Sequence, residues 1–174
     1  MRLLVCGTRQ WSGSWEDIAE HLPEDMRAHG VTVIHGACSR KINRRVRGGL
    51  VPCEVSVDMI ADFVVRRLGF AVEPYPVDHA LDGPWPAAGP RRNARMLREG
   101  KPTHGLAFGP LVKPGGASLT AGLKTTGTGN MVGLMLAARI PVRWVSAPGA
   151  ASCEITALPA IPRMPMPAPP RGGA

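Results

Sequence analysis

The stretch RLLVCGTRQW, residues 2–11, sets the fold class, because an apolar run stops at a glycine and polar residues follow. A short apolar run that ends in glycine is typical of a buried strand. Three further polar loop motifs lie along the chain: HGA at 35–37, AGPRRN at 88–93 and GTGN at 127–130. In an open parallel sheet the loops after the strands meet at one edge, where ligands bind. Their glycines, arginines and threonines predict a site for a phosphorylated ligand.

Strand and helix patterns alternate along the chain. Strands are predicted over residues 2–6, 31–34, 71–75, 105–108 and 141–145, and helices from residue 14 onward and over 56–68, 90–99 and 128–138. Such alternation indicates a parallel sheet with helices on both faces. We therefore predict an α/β fold: a single Rossmann-like three-layer sandwich over residues 1–146, with a mostly parallel five-stranded sheet in the order 3-2-1-4-5.

Three segments depart from this alternation. A basic insert spans about residues 40–54, and a Gly/Pro-rich loop spans about residues 110–126. Residues 147–174 are rich in Pro, Ala and Gly, a composition that buries too little apolar surface to fold, so we predict a mostly disordered tail.

The net charge of +8 raises the question of a nucleic-acid partner. The insert clusters five cations, Arg40, Lys41, Arg44, Arg45 and Arg47, which could release counterions from phosphates. It contains no aromatic residue for stacking on bases, so a solvated basic loop, or one that gates a small-molecule crevice, is an equal alternative. A homo-oligomer is also compatible with the sequence.

Cysteine usage and hydropathy predict a cytoplasmic protein without a membrane partner. The four cysteines form no disulfide framework, and no run approaches the ~18 apolar residues of a membrane span. No signal peptide is visible before the first strand. His35, Cys38, Cys53 and Cys6 lack the paired spacing of a zinc site, so we predict neither a metal nor a cofactor.

Candidate binding residues follow the predicted strands. Residues 7–9 offer backbone amides that could cradle a phosphate, which Arg9 could neutralise; the alternative is a tight turn with a solvated arginine. Trp11 either stacks on a base or packs over the turn. His35 is expected to hydrogen-bond within the same edge. Asp58 and Asp78 are candidates for ribose hydroxyls, or else a helix-terminal charge and a turn residue.

Two predicted helix starts provide further candidates. Arg92 and Asn93 lie in a first turn, where the helix dipole favours an anion, and an arginine there is unfavourable without one. The alternative is a solvated surface arginine. Gly127, Thr128 and Gly129 begin another helix and could form a second phosphate cradle, although such glycines also simply permit a turn.

Taken together, these motifs resemble the YspA/cpYpsA-related branch of the SLOG superfamily, which is related to the LOG phosphoribohydrolases and to DprA. The matching residues are Gly7, Thr8, Arg9 and Trp11 of a G-S-R-x-W loop, His35 and Gly36, Asp58, Pro76 and Asp78, Ala88, Gly89, Pro90, Arg92, Asn93 and Met96 of A-G-P-x-R-N-x-x-M, and Gly127 with Thr128. The resemblance covers about residues 1–145 and implies a Rossmann-like domain that binds a nucleotide-derived ligand as a sensor, sequestering protein or accessory module.

The sequence departs from that pattern in its last motif. The family's compact glycine loop is split between Gly116 and Gly127, and Met131 stands where LOG enzymes carry a catalytic glutamate. We therefore expect binding without catalysis and predict no catalytic residue. The alternatives are a phosphoribohydrolase-like N-glycosidase acting on nucleoside monophosphates, which Met131 disfavours, and a DprA-like DNA-binding protein.

Overall fold

The structure, a computed structural model, describes residues 1–9, 11–23, 30–39, 41–46, 49–54, 56–111 and 126–156. Its strands are β1 (Arg2–Gly7), β2 (Thr32–His35), β3 (Lys41–Val46), β4 (Gly49–Glu54), β5 (Ala71–Pro74), β6 (His104–Phe108), β7 (Val142–Val145) and β8 (Cys153–Ile155). Its helices are α1 (Trp15–Ala19), α2 (Val57–Arg67), α3 (His79–Asp82), α4 (Ala88–Gly100) and α5 (Gly127–Ala137). Within these ranges, no helix has the length and apolar character needed to cross a membrane.

The main sheet confirms the predicted α/β class. Its strand order is β5-β2-β1-β6-β7-β8, and the first five strands are parallel, so the predicted order 3-2-1-4-5 is correct. The sixth strand, β8, pairs antiparallel with β7. The prediction of a disordered tail from residue 147 is therefore wrong at Cys153–Ile155, because pairing with an open sheet edge orders a segment that could not fold alone. Residues 157–174 lie outside the described part.

The basic insert is folded, contrary to its interpretation as a loop. Its backbone forms an antiparallel pair, β3 with β4, separate from the main sheet. The five cationic side chains predicted to contact nucleic acid, and most of the Gly/Pro-rich loop, lie outside the described residues.

Helices cover both faces of the sheet because successive residues of β1 point to opposite sides. Leu3 and Val5 belong to a buried cluster with residues of α1 and α2. Leu4 and Cys6 belong to a second cluster with residues of α4 and α5. A capping box begins α1: the Ser14 Oγ accepts from the Asp17 amide at 3.4 Å, and the Ser14 amide donates to Asp17 Oδ2 at 2.6 Å.

A buried ion pair fixes the segment between β5 and α4. Asp82, 1% exposed, accepts hydrogen bonds from Arg95 Nε at 3.0 Å, Arg95 Nη2 at 2.9 Å and the Asp78 amide at 2.8 Å. Arg95 Nη2 also donates to the Pro76 carbonyl at 2.8 Å. The pair therefore joins α4 to the start of the loop that leads to Trp85.

Removing the Asp82 charge should destabilise the fold. We expect Asp82→Asn to lower the free energy of unfolding by about 2 to 4 kcal/mol, because it leaves Arg95 with an uncompensated charge. The control is Glu99→Gln, which removes the charge of Glu99 from its exposed pair with Arg98. This variant should change the free energy of unfolding by less than about 0.5 kcal/mol. Urea denaturation measures the free energy of unfolding of both variants. Equal losses in the two variants would contradict the stabilising role of the buried Asp82–Arg95 pair.

The same pair predicts an acid dependence. Arg95 lowers the pKa of Asp82 from its ordinary 3.8 to about 2. A carboxyl whose pKa is lower in the folded state stabilises the protein above its unfolded pKa, and this contribution is lost as the pH falls toward 2. The difference between wild type and Asp82→Asn should therefore shrink between about pH 5 and about pH 2.5.

Candidate functional site

A cavity of about 500 Å³ opens at the carboxyl edge of the parallel strands. Its walls come from the loops after β1, β2 and β6 and from the first turns of α2, α4 and α5. Ten of the residues predicted as ligand-binding line it: Gly7, Thr8, Arg9, Gly36, Asp58, Gly89, Arg92, Asn93, Gly127 and Thr128. The motifs therefore meet at one edge, as a parallel sheet requires.

Two predicted site residues have structural roles instead. Trp11 is 4% exposed and packs edge-to-face on Phe108, with ring centroids 5.4 Å apart, so the packing alternative is correct. Asp78 caps α3: its Oδ1 accepts from the Ala80 amide at 2.9 Å. Neither residue lines the cavity, because the first side chain is turned into the core and the second is engaged by its own turn.

His35 lies behind the cavity and shapes its wall. Its Nδ1 accepts from the Ala37 amide at 3.1 Å, so its proton is on Nε2, which lies 3.0 Å from Asp62 Oδ1. Ala37 has φ of +48°, a left-handed conformation that is uncommon for a residue with a side chain. This turn directs the Cys38 amide to Asp58 Oδ2, at 3.1 Å. His35 is therefore a positioning residue rather than a ligand contact.

The Arg92 guanidinium is buried at the cavity floor, with 6% of the residue exposed. Its Nη1 donates to the Tyr75 carbonyl at 2.9 Å and to the Gly36 carbonyl, and its Nη2 lies 3.1 Å from Cys38 Sγ. Its Nε donates to Asn93 Oδ1 at 3.1 Å. Among the described residues, no carboxylate oxygen lies within 4.0 Å of it, so its direct hydrogen-bond partners are uncharged.

The first turn of α5 presents free donors to the cavity. The Gly129 amide donates to the Thr126 Oγ1 at 2.8 Å, and the Asn130 amide to the Thr126 carbonyl at 2.9 Å. The amides of Gly127 and Thr128 precede the intrahelical ladder. The Thr128 side chain lines the cavity, is 5% exposed and makes no hydrogen bond within the described structure. Helix amino ends with such donors favour anions.

Asp58 provides the buried carboxylate of the cavity, with 4% of the residue exposed. Burial raises its pKa, and the Cys38 amide, His35 and Arg92 partly oppose that effect. Burial, with a smaller effect from Asp58, also raises the pKa of the neighbouring Cys6 thiol. Cys6 therefore stays protonated at neutral pH.

The cavity wall that sequence reasoning missed is aromatic and apolar. It consists of Trp85, Pro86 and Pro90, near the start of α4. The guanidinium carbon of Arg9 lies over the Trp85 ring, 5.8 Å from its centroid. A tryptophan within the Gly/Pro-rich segment GPWPA, just before the AGPRRN motif, was the available signal. Other lining residues that were not predicted to bind a ligand are Cys6, Cys38, Met96, Pro110, Thr126, Asn130 and Met131.

No metal centre accompanies the cavity in the described part: no group of three or more His, Cys, Asp or Glu residues there could hold an ion. The side chain of Cys53, considered for zinc with His35, lies outside that part.

The chain matches no family model, no curated protein and no solved structure in comparisons with known proteins. The resemblance to the SLOG superfamily therefore stays a prediction carried by the motifs themselves.

Gly129, predicted to bind a ligand, is a packing residue. A Cβ on Gly129 would lie 1.8 Å from the Leu111 carbonyl oxygen, whereas a Cβ on Gly133, in the same helix, would meet nothing within 4 Å. The glycine thus lets the amino end of α5 approach the loop after β6.

Two alanine substitutions in α5 should therefore have opposite effects. Gly129→Ala should destabilise the fold by about 1 to 3 kcal/mol, because the backbone must shift. Gly133→Ala should stabilise it by about 0.5 to 1 kcal/mol through helix propensity. Thermal unfolding of both variants measures this, and a stable Gly129→Ala protein would show that the close approach is not required.

Proposed function

We propose that the cavity binds a nucleotide or nucleotide-derived ligand, with a phosphate at the amino end of α5. The observation that carries this proposal is the Thr128 side chain, which lines the cavity without a hydrogen bond within the described structure, beside two amides that precede the intrahelical hydrogen bonds. A hydroxyl and amides left open at a helix amino end favour an anionic partner.

Charge and size support the same ligand class. Arg9 and Arg92 line the cavity, and neither has a carboxylate oxygen within 4.0 Å among the described residues. An anion would compensate both cations, the buried Arg92 and the exposed Arg9. The volume of about 500 Å³ falls within the roughly 300 to 1,000 Å³ usual for small-molecule sites.

The resemblance to the SLOG superfamily, carried by several of the same residues, is consistent with the proposal and suggests a sensor, sequestering or accessory role. Met131 supports binding without hydrolysis: it is 1% exposed, and its thioether cannot donate or accept a proton in catalysis. A methionine at this position contributes apolar surface to the cavity and nothing to bond cleavage.

Thr128→Val tests the phosphate position without disturbing the fold, because the lost hydroxyl has no partner within the described structure. We expect it to weaken binding of the tightest of AMP, GMP, CMP and UMP by about 10- to 100-fold, the value of a hydrogen bond to a charged group. Thr32→Val, at the opposite end of the sheet, should leave the affinity unchanged. Isothermal titration calorimetry measures both; no binding by the wild type would refute the proposal.

A second candidate function, nucleoside-monophosphate hydrolysis, is favoured by Asp58. This carboxyl lines the same cavity as Met131, and burial raises its pKa. A carboxyl with a raised pKa is suited to protonate a leaving base, so the loss of the family's glutamate does not leave the cavity without an acidic group.

Product analysis separates the two functions. Incubation with each of the four monophosphates, followed by chromatography, is expected to release no free base. Release above that of a boiled sample, lost in Asp58→Asn, would instead make the protein a hydrolase with Asp58 as its acid. Release that survives Asp58→Asn would rule Asp58 out as that acid.

A further inference from the structure

We propose that Trp85 recognises the base of the ligand, forming the wall on which the base stacks, and that Arg9 leaves the indole to contact the phosphate. This inference rests on the proposed nucleotide binding and deepens it, because it assigns the ligand a planar aromatic part. It distinguishes a nucleoside phosphate from a phosphorylated sugar.

The position of Trp85 suits a stacking platform. It is 54% exposed, large for a tryptophan, and it lines the cavity. A Cβ on Gly89 would lie 3.2 Å from Cζ3 of the indole, so the glycine lets the ring edge rest on the first turn of α4. The His79 ring lies nearly perpendicular to the indole, with centroids 6.2 Å apart and an interplanar angle of 74°. These two contacts hold the indole beside the first turn of α4.

The two walls of the cavity differ in chemistry. Pro86 and Pro90, which have no amide proton, flank Trp85 and make that side apolar. The side formed by α5 and Arg92 carries hydrogen-bond donors. A free phosphate or a sugar phosphate would satisfy the donors and leave the apolar wall uncovered. A nucleoside phosphate has a charged end for one wall and a flat apolar face for the other.

Arg9 is the residue that the base would replace on the face of the Trp85 indole. Its guanidinium carbon is 5.8 Å from the indole centroid, close to the ~6 Å limit for a cation–π contact. Its only other described contact is Cys38 Sγ, 3.9 Å from Nη2. Because Arg9 is exposed and lines the cavity, the ring face beneath it is also the face that a ligand reaches. A base that takes this place frees the cation for phosphate.

Comparing a nucleotide with its base-free counterpart tests the inference. The probes are the tightest-binding of the four nucleoside monophosphates and ribose 5-phosphate, titrated into wild type, Trp85→Ala, Trp85→Phe and Trp15→Ala. We expect Trp85→Ala to weaken the nucleotide by about 5- to 100-fold, as for loss of one base–aromatic stack, and to change ribose 5-phosphate by less than about twofold. Trp85→Phe should restore most of the nucleotide affinity.

Trp15 is the matched control, because it is a similarly exposed tryptophan, 50% accessible, on α1 outside the cavity. Trp15→Ala should bind both probes like wild type. The nucleotide should quench wild-type and Trp15→Phe fluorescence and lose that quenching in Trp85→Phe. Equal losses for both probes in Trp85→Ala, or no loss for the nucleotide, would overturn the role of Trp85.

The wild type separates this inference from the proposal on which it rests. If it binds ribose 5-phosphate as tightly as any nucleotide, the phosphate site stands and base recognition is wrong. If the wild type binds neither ribose 5-phosphate nor a nucleotide, the proposal of nucleotide binding fails, and base recognition by Trp85 fails with it.

Discussion

The buried guanidinium of Arg92 is the interaction on which the carboxyl edge of the sheet depends. It joins α4 to the chain leaving β2, through the Gly36 carbonyl, and to the chain leaving β5, through the Tyr75 carbonyl. A planar fork with five donors can hold several acceptors at fixed angles, which a lysine could not. The guanidinium is buried and makes no ion pair within the described structure, so the same group that organises the edge also gives it a positive potential. Under the proposed function, the structure of this edge and its preference for an anion have one origin.

The strand order of the sheet determines where the positive potential of Arg92 lies. From β1 the chain moves outward to β2 and β5 on one side and returns to β6 and β7 on the other. The loops after β1 and β6 consequently diverge and leave a crevice between them at the carboxyl edge, the position at which open α/β sheets bind ligands. The amino end of α5 lies at this crevice, where Gly129 lets the helix approach the Leu111 backbone.

The sequence predicted what depends on local chemistry and missed what depends on distant partners. The spacing of apolar residues and the helix-capping residues predicted the positions of the parallel strands and the longer helices. The glycine-rich loops predicted the edge of the sheet at which the cavity lies. Trp11 and His35 were predicted to belong to the binding edge, yet the same motif position can face the cavity or the core. Packing of Trp11 against Phe108 and pairing of His35 with Asp62 place both behind the cavity. The strand β8 depends on a vacant edge of β7, which no local composition reveals. Trp85 was missed because its position depends on a distant pair: Asp82, three residues earlier in the chain, pairs with Arg95 of α4 and holds the loop of Trp85 against that helix.

The acidic residue of the cavity bears on whether it binds or cleaves. Asp58 is held by the Cys38 amide, which its left-handed neighbour Ala37 directs toward it, so the carboxylate already has a structural partner. A general acid must be free to give up its proton to a leaving group, and a carboxyl engaged as an acceptor is less suited to that task. When ionised, Asp58 also partly offsets the charge of Arg92, which would weaken the hold of Arg92 on an anion. Both features favour the proposed reversible binding over cleavage of a glycosidic bond.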